Sequence, residues 1–248
     1  MDVTIKRDGL ELRGLLEGTD KLENDTIVIQ FHGFQGNIGY EPGKINYDVS
    51  HKLNEVGLPT LRFNFPSCGL SDGDYKNMTI LGQLLDAMAI IDFARTKMGA
   101  KKIYIVGHSQ GGVVASMVAA YYRDLIDKVV LLAPAATLKD DALRGECEGS
   151  VYDPNHIPLR VEVNGELVSG QYFRTVQLLP IYETAQHYDG EVLIIHGLED
   201  EIIPASAGRK YHDILPNSTL YLMEGEPHSL EGPKVQETLQ LIADFLKD

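Results

Sequence analysis

The sequence predicts an α/β fold, with a mostly parallel central sheet, helices on both faces and a small inserted lid. Three observations predict it. Short apolar runs bounded by Gly, Pro or Asp alternate with stretches of helical periodicity, the pattern of strands joined by right-handed helical crossovers. The runs around 103, 128 and 191 are continuously apolar, as in parallel strands covered on both faces. Between Ala133 and Gly190 the rhythm breaks, which marks an insertion.

Taken in order, residues 3–7 and 10–16, joined at Asp8-Gly9, read as an antiparallel hairpin at one edge of the sheet. Strands are predicted at 26–31, 60–65, 103–106, 128–132, 191–195 and 218–222, where β-branched and apolar residues cluster between turn formers. Helices are predicted at 45–56, 78–98, 110–122, 205–215 and 233–246. In the second of these Ile80, Leu81, Leu84, Leu85, Met88, Ile91 and Phe93 recur at helical spacing, with Asn77 or Thr79 as the N-cap. Inside the insertion Pro154, Pro158, Pro180 and several glycines interrupt any period, but 160–168 alternates around Asn164-Gly165, the sequence of a tight hairpin. The expected organisation is one domain over 1–248 with 135–188 as its inserted lid.

With 44% apolar and 23% charged residues in 248, the chain is neither disordered nor fibrous. Its 22 basic against 36 acidic side chains give a net charge of −14, which repels phosphate backbones and anionic headgroups and excludes nucleic acid as a partner. No apolar run approaches the ~20 residues that span a bilayer, and the start lacks the apolar stretch of a signal peptide. No membrane partner and a cytoplasmic location are expected. Cys68 and Cys147 lie in unlike surroundings, give neither a disulfide framework nor metal-ligand spacing, and read as reduced structural thiols.

Chemistry concentrates at Gly107-His108-Ser109-Gln110-Gly111-Gly112, between a predicted strand and a predicted helix. In G-x-S-x-G a strained turn holds the Ser109 hydroxyl clear of the backbone, and small neighbours let strand and helix pack closely. A hydroxyl is a weak nucleophile that needs an imidazole base, itself oriented by a carboxylate. Both stand downstream in loops after late strands. Residues 196–204 offer Glu199, Asp200 and Glu201, three competing carboxylates, and His228 alone occupies the loop before the last helix. His32, His108 and His196 sit at strand ends and read as hydrogen-bonded structural groups, while His51, His156, His187 and His212 carry no motif. Two backbone N–H donors are needed for a developing oxyanion; Gln110, after the nucleophile, and Phe34, in the glycine-bearing loop 32–37, are the candidates.

With these residues the chain resembles the α/β-hydrolase superfamily along its length and, more narrowly, the bacterial cinnamoyl (feruloyl) esterases. His32-Gly33-Phe34, residues 107–116 and residues 131–138 carry the likeness. The resemblance implies the α/β-hydrolase fold, the nucleophile–acid–base order Ser109, Asp200, His228, and a cofactor-free, metal-free serine esterase. It selects Asp200 as the acid through the pattern His196-Gly197-x-x-Asp200-x-x-Ile203-Pro204. It also implies that lid residues Asp141 and Tyr172 bind the ring hydroxyl of a hydroxycinnamoyl ester, with Glu148 standing where relatives carry Gln. A second departure is Phe65-Pro66-Ser67-Cys68-Gly69, where many relatives have a Gly-His-Gly turn. A general acylglycerol lipase or thioesterase would share every catalytic residue, and a ligand sensor on the same fold could keep them too. The expected partner is a small ester, and a homodimer stays open as the assembly.

Overall fold

The computed structural model describes residues 1–247. In chain order the elements are β1 (Asp2–Arg7), β2 (Leu10–Glu17), β3 (Thr26–Phe31), α1 (Ile45–Glu55), β4 (Thr60–Phe63), α2 (Ile80–Thr96), β5 (Lys102–His108), α3 (Gln110–Tyr121) and β6 (Lys128–Leu132). The insertion then holds α4 (Leu138–Arg144), β7 (Glu146–Cys147), β8 (Ser150–Val151), β9 (Arg160–Val163), β10 (Glu166–Ser169), α5 (Gly170–Gln177) and α6 (Ile181–Ala185). The chain closes with β11 (Glu191–Gly197), α7 (Ser206–Ile214), β12 (Ser218–Met223) and α8 (Val235–Lys247).

Eight strands form one sheet in the order β1-β2-β4-β3-β5-β6-β11-β12, antiparallel at β1/β2 and β2/β4 and parallel from β4 onward. Along the parallel strands successive side chains enter two different cores. Ile27, Ile29 and Phe31 of β3 pack with Ile103, Ile105, Leu131 and the helices α2 and α3, whereas Val28, Tyr104, Val106 and Val130 pack with Leu53 of α1 and Ile242 of α8. Apolar residues therefore occupy successive positions on both faces of these strands, the buried Gln30 being an exception, which is why the sequence shows little alternation there. Helix α3 lies inside for all but its last two residues, with Gln110 to Ala119 buried.

Most boundaries shift by one to three residues from the sequence reading, and two of the shifts have a clear local reason. Strand β4 ends at Phe63 because the Phe65 N–H bonds to His32 Nε2 at 3.0 Å instead of to a neighbouring strand. Helix α2 starts at Ile80 because Thr79, not Asn77, caps it, its hydroxyl accepting from the Gly82 N–H at 3.0 Å. The insertion is not a free flap. Val161, Val163, Val168, Tyr172, Phe173 and Val176 belong to the same core cluster as the α2 and α3 side of the sheet. Its predicted hairpin forms, with Asn164 and Gly165 both at positive φ (52° and 82°), as a two-residue turn that follows strand twist requires.

The register brings Phe31 beside Gly107, His108 beside Leu132, and Gly197 beside Met223. The loops that leave β3, β5, β6, β11 and β12 consequently emerge along one rim of the sheet. These are the loops that carry the candidate residues.

Candidate active site

Ser109 sits in the turn between β5 and α3 with φ 56° and ψ −123°, a conformation that costs an L residue about 1–3 kcal/mol. Three backbone hydrogen bonds hold it there: its N–H donates to the Leu132 carbonyl (2.9 Å), and its own carbonyl accepts from Gly112 (2.9 Å) and Ala135 (3.0 Å). The turn also needs room. A Cβ on Gly107 would collide with the Gly111 carbonyl and one on Gly111 with the Phe31 carbonyl, so the strand and helix can approach this closely only as glycines. Ser109 occupies the N-cap position of α3 without capping it, so its hydroxyl is free to point along the rim.

That hydroxyl lies 2.8 Å from His228 Nε2, and His228 Nδ1 lies 2.7 Å from Asp200 Oδ2. The Asp200 side chain is fully buried. Its other oxygen accepts from the Ile202 N–H (3.0 Å) and the Ile203 N–H (2.7 Å), and His196 Nε2 stands 3.1 Å from Oδ2. Burial pushes the carboxyl up, but the hydrogen bonds from His196, His228 and Ile203 outweigh it and hold Asp200 well below the usual carboxylate range. An ionised Asp200 keeps the His228 Nδ1 proton and leaves Nε2 free to accept one from Ser109. Of the three competing carboxylates only Asp200 reaches His228. Glu199 is exposed and accepts from the Gly225 N–H at 2.5 Å, and Glu201 lies exposed at the edge of the adjoining cavity.

The His228 loop is fastened by groups that no motif announced. Glu226, buried without a cation, accepts from the backbone N–H groups of Gly232 (3.0 Å) and Lys234. His108 Nε2–H donates to the His228 carbonyl at 3.0 Å; burial and the neighbouring His228 hold its pKa at about 4. His32 does the equivalent for the loop after β3: its Nδ1–H donates to the Gly33 carbonyl (2.8 Å) and Nε2 accepts from Phe65, and burial holds its pKa at about 4. Among the described residues neither the Phe34 nor the Gln110 backbone N–H has an acceptor, and both residues border the cavity at Ser109. Gly33 is packed against the nucleophile, its Cα facing Ser109 so closely that a Cβ would come within 2.9 Å of the Ser109 Cβ.

A cavity of about 610 Å³ opens at Ser109 beneath the insertion, with the rings of Phe34, Tyr172 and Phe173 in its wall and Asp141 at its side. Asp141 accepts from the Thr137 hydroxyl (3.0 Å) and pairs with Arg144; partial burial raises its pKa. Glu148 is exposed at the lip, accepting from Asn164 Nδ2 at 2.6 Å. Tyr172, the residue to which the resemblance gave a bond with the substrate's ring hydroxyl, lines this cavity, and its own O–H donates to Gln110 Oε1 at 2.5 Å. Gln110 Nε2 in turn donates to Gln83 Oε1 at 2.6 Å. Gln83 was missed, although a polar residue on the apolar face shared by Ile80, Leu84 and Ala87 is a readable signal. Burial raises both thiols, Cys147 to about 12, so neither is poised as a nucleophile. Among the described residues no three His, Cys, Asp or Glu side chains gather in a metal-binding group, and no helix is long and apolar enough to cross a membrane.

The model of the alpha/beta hydrolase fold family matches residues 26–147. Est1E from Butyrivibrio proteoclasticus, in a structure with ferulic acid bound, superimposes with a TM-score of 0.91 at 30% identity, covering 98% of this chain and 97% of Est1E. A second Est1E structure gives 0.86 at 28% identity, covering 99% and 97%. In sequence the chain is also similar to the lysophosphatidylserine lipase ABHD12 of Danio rerio, 24% identical over 213 residues, which make up 85% of this chain and 50% of that lipase. The chain thus spans about half the length of that curated relative.

Proposed function

The chain belongs to the alpha/beta hydrolase family, and we propose that within it the protein is a cofactor-free serine carboxylesterase for small esters of hydroxycinnamic acids. The observation that carries the proposal is the hydrogen-bonded series Ser109–His228–Asp200 at the foot of an aromatic-walled cavity. Ser109 Oγ attacks the acyl carbonyl while His228 Nε2 takes its proton, and Asp200 keeps the imidazole in the tautomer that can do so. The N–H groups of Phe34 and Gln110, the latter at the positive end of α3, receive the oxyanion. Collapse returns the proton from His228 to the leaving alcohol, and water repeats the sequence on the acyl-enzyme.

The acyl assignment rests on the cavity and on Est1E, which was solved with ferulic acid. The cavity is lined by Phe34, Tyr172 and Phe173 with Asp141 and Glu148, and this lining supports a reading in which the acyl ring lies against the aromatic residues and the Asp141 carboxylate accepts from its hydroxyl. Against a long lipid chain stands the charge of the cavity's rim, where Asp140, Asp141, Arg144, Glu146 and Glu148 all lie. A panel of methyl ferulate, methyl caffeate, nitrophenyl butyrate and a long-chain monoacylglycerol tests the reading. The hydroxycinnamates should have the highest kcat/KM; a leading monoacylglycerol would favour a lipase instead. Ser109→Ala should lower kcat by at least ~10⁴ and abolish the acyl-enzyme burst with the fold retained. Activity within tenfold of the parent would end the nucleophile assignment.

A further inference from the structure

We propose that the insertion braces the oxyanion donors, and that Tyr172 is a positioning residue for catalysis rather than a reader of the substrate's ring hydroxyl; this rests on the serine-esterase reading above. The Tyr172 hydroxyl sits on a side chain only 4% exposed, and its proton is committed to Gln110 Oε1 at 2.5 Å. Gln110 is the residue whose backbone N–H is to receive the oxyanion. With Nε2 held by Gln83 of α2 and Oε1 held by Tyr172 of α5, its buried side chain is anchored from two opposite elements. The backbone of the first residue of α3 is thereby fixed through its own side chain.

The other donor is held from the same insertion. Gln35, next to Phe34, donates from Nε2 to the Val163 carbonyl at 2.9 Å and accepts at Oε1 from Asn164 Nδ2 at 3.2 Å. Both contacts fall at the β9–β10 turn. The Phe34 ring lies against the Tyr172 ring, centroids 5.6 Å apart. Both candidate donors, on loops 76 residues apart in sequence, are therefore gripped by one inserted segment. Displacing an oxyanion donor by a fraction of an ångström acts on every ester alike, because every acyl carbonyl develops the same charge.

The two roles for Tyr172 predict different results from the removal of one oxygen atom. If Tyr172 positions Gln110, Tyr172→Phe should lower kcat by roughly 10-fold on both methyl ferulate and nitrophenyl butyrate, less than the ~10²–10³ of losing a donor outright. KM for the butyrate should stay within about twofold, and affinity for butylboronic acid, whose serine adduct places an oxygen in the oxyanion position, should fall by the same roughly 10-fold. Gln83→Met, which touches neither the cavity nor the triad, should reproduce the substrate-independent loss. The double variant should lose less than the product of the two, since both free the same side chain. A loss confined to ferulate would return Tyr172 to ring recognition, and unchanged rates and boronate affinity in both variants would overturn the brace. Failure of the underlying reading is a separate result: the parent protein would then turn over neither ester and would not bind the boronate.

Discussion

Replacing Asp200 with Asn puts an NH₂ group into a pocket that offers it only donors. Three N–H groups donate to the carboxylate, those of Ile202 and Ile203 to Oδ1 and that of His228 to Oδ2, while His196 Nε2, bonded to the Ile203 carbonyl at 2.9 Å, stands 3.1 Å from Oδ2. If the new amide oxygen stays with Ile202 and Ile203, the NH₂ faces His228 Nδ1 and forces that nitrogen to become the acceptor. The imidazole proton then moves to Nε2, 2.8 Å from Ser109, where it blocks the transfer that begins the reaction. The flipped amide would set the NH₂ against two backbone donors instead. A wrong tautomer at this position costs kcat about 10⁴-fold, which at 1.36 kcal/mol per decade is about 5.5 kcal/mol of transition-state stabilisation. Initial rates at pH 7.5 on nitrophenyl butyrate and methyl ferulate should both show it, with Glu199→Gln and Glu201→Gln each within tenfold of the parent. The reasoning fails if Asp200→Asn stays within tenfold, or if either glutamine variant loses as much.

Three further outcomes follow from single contacts. Asp141→Ala removes the acceptor proposed for the ring hydroxyl, and a charge-assisted hydrogen bond of about 1.5–3 kcal/mol converts to a roughly 10- to 100-fold drop in kcat/KM for methyl ferulate; equal losses on nitrophenyl butyrate would show general damage instead. Gly111→Ala drives a methyl group into the Phe31 carbonyl and should destabilise the fold by about 1–3 kcal/mol or more in urea denaturation, whereas an unchanged midpoint would contradict the close packing of β5 and α3. His32 gives a pH dependence: its folded pKa of about 4 lies below the ordinary 6.5, so its neutral form contributes stability that is present above pH 6.5 and lost as pH falls toward 4. Compared with His32→Gln, which cannot titrate, the parent should lose about 2 kcal/mol of its relative stability between pH 7.5 and pH 5; a difference independent of pH would show that His32 does not remain neutral when buried.

Where chemistry imposes a local sequence, the site was legible. Ser109 had to follow a strand and open a helix between small residues, and that context is short-range. Asp200 could not be separated from Glu199 and Glu201 by the residues alone, and geometry supplies the reason for the choice. The Asp200 side chain is short enough to bond the N–H groups two and three residues ahead, which turns its other oxygen toward His228. The chain's neighbouring glutamates point elsewhere. The sheet was legible because continuous apolarity and strand length agree, but the end of β4 was not, since it depends on His32 taking the Phe65 N–H across 33 residues.

Tyr172 marks the limit of reading from a motif. Its partner Gln110 is 62 residues away, and the bond between them exists only because α5 packs on the same core as α3. Resemblance transfers a residue's position in the cavity wall, but a hydroxyl there has two faces to serve and the sequence does not say which. The insertion both lines the cavity at Ser109 and bonds Gln110 and Gln35, so on the proposed reading changes in it need not alter selectivity alone. Asp141, on the cavity side and remote from Gln110 in the hydrogen-bond network, can change preference between acyl groups with the donors left in place. A change that loosens Tyr172 or the Gln35 contact with Val163 acts on the common step and lowers turnover for all esters. On that proposal selectivity and rate fall to different residues of the same inserted segment, and the ratio of kcat/KM on two substrates tests that division.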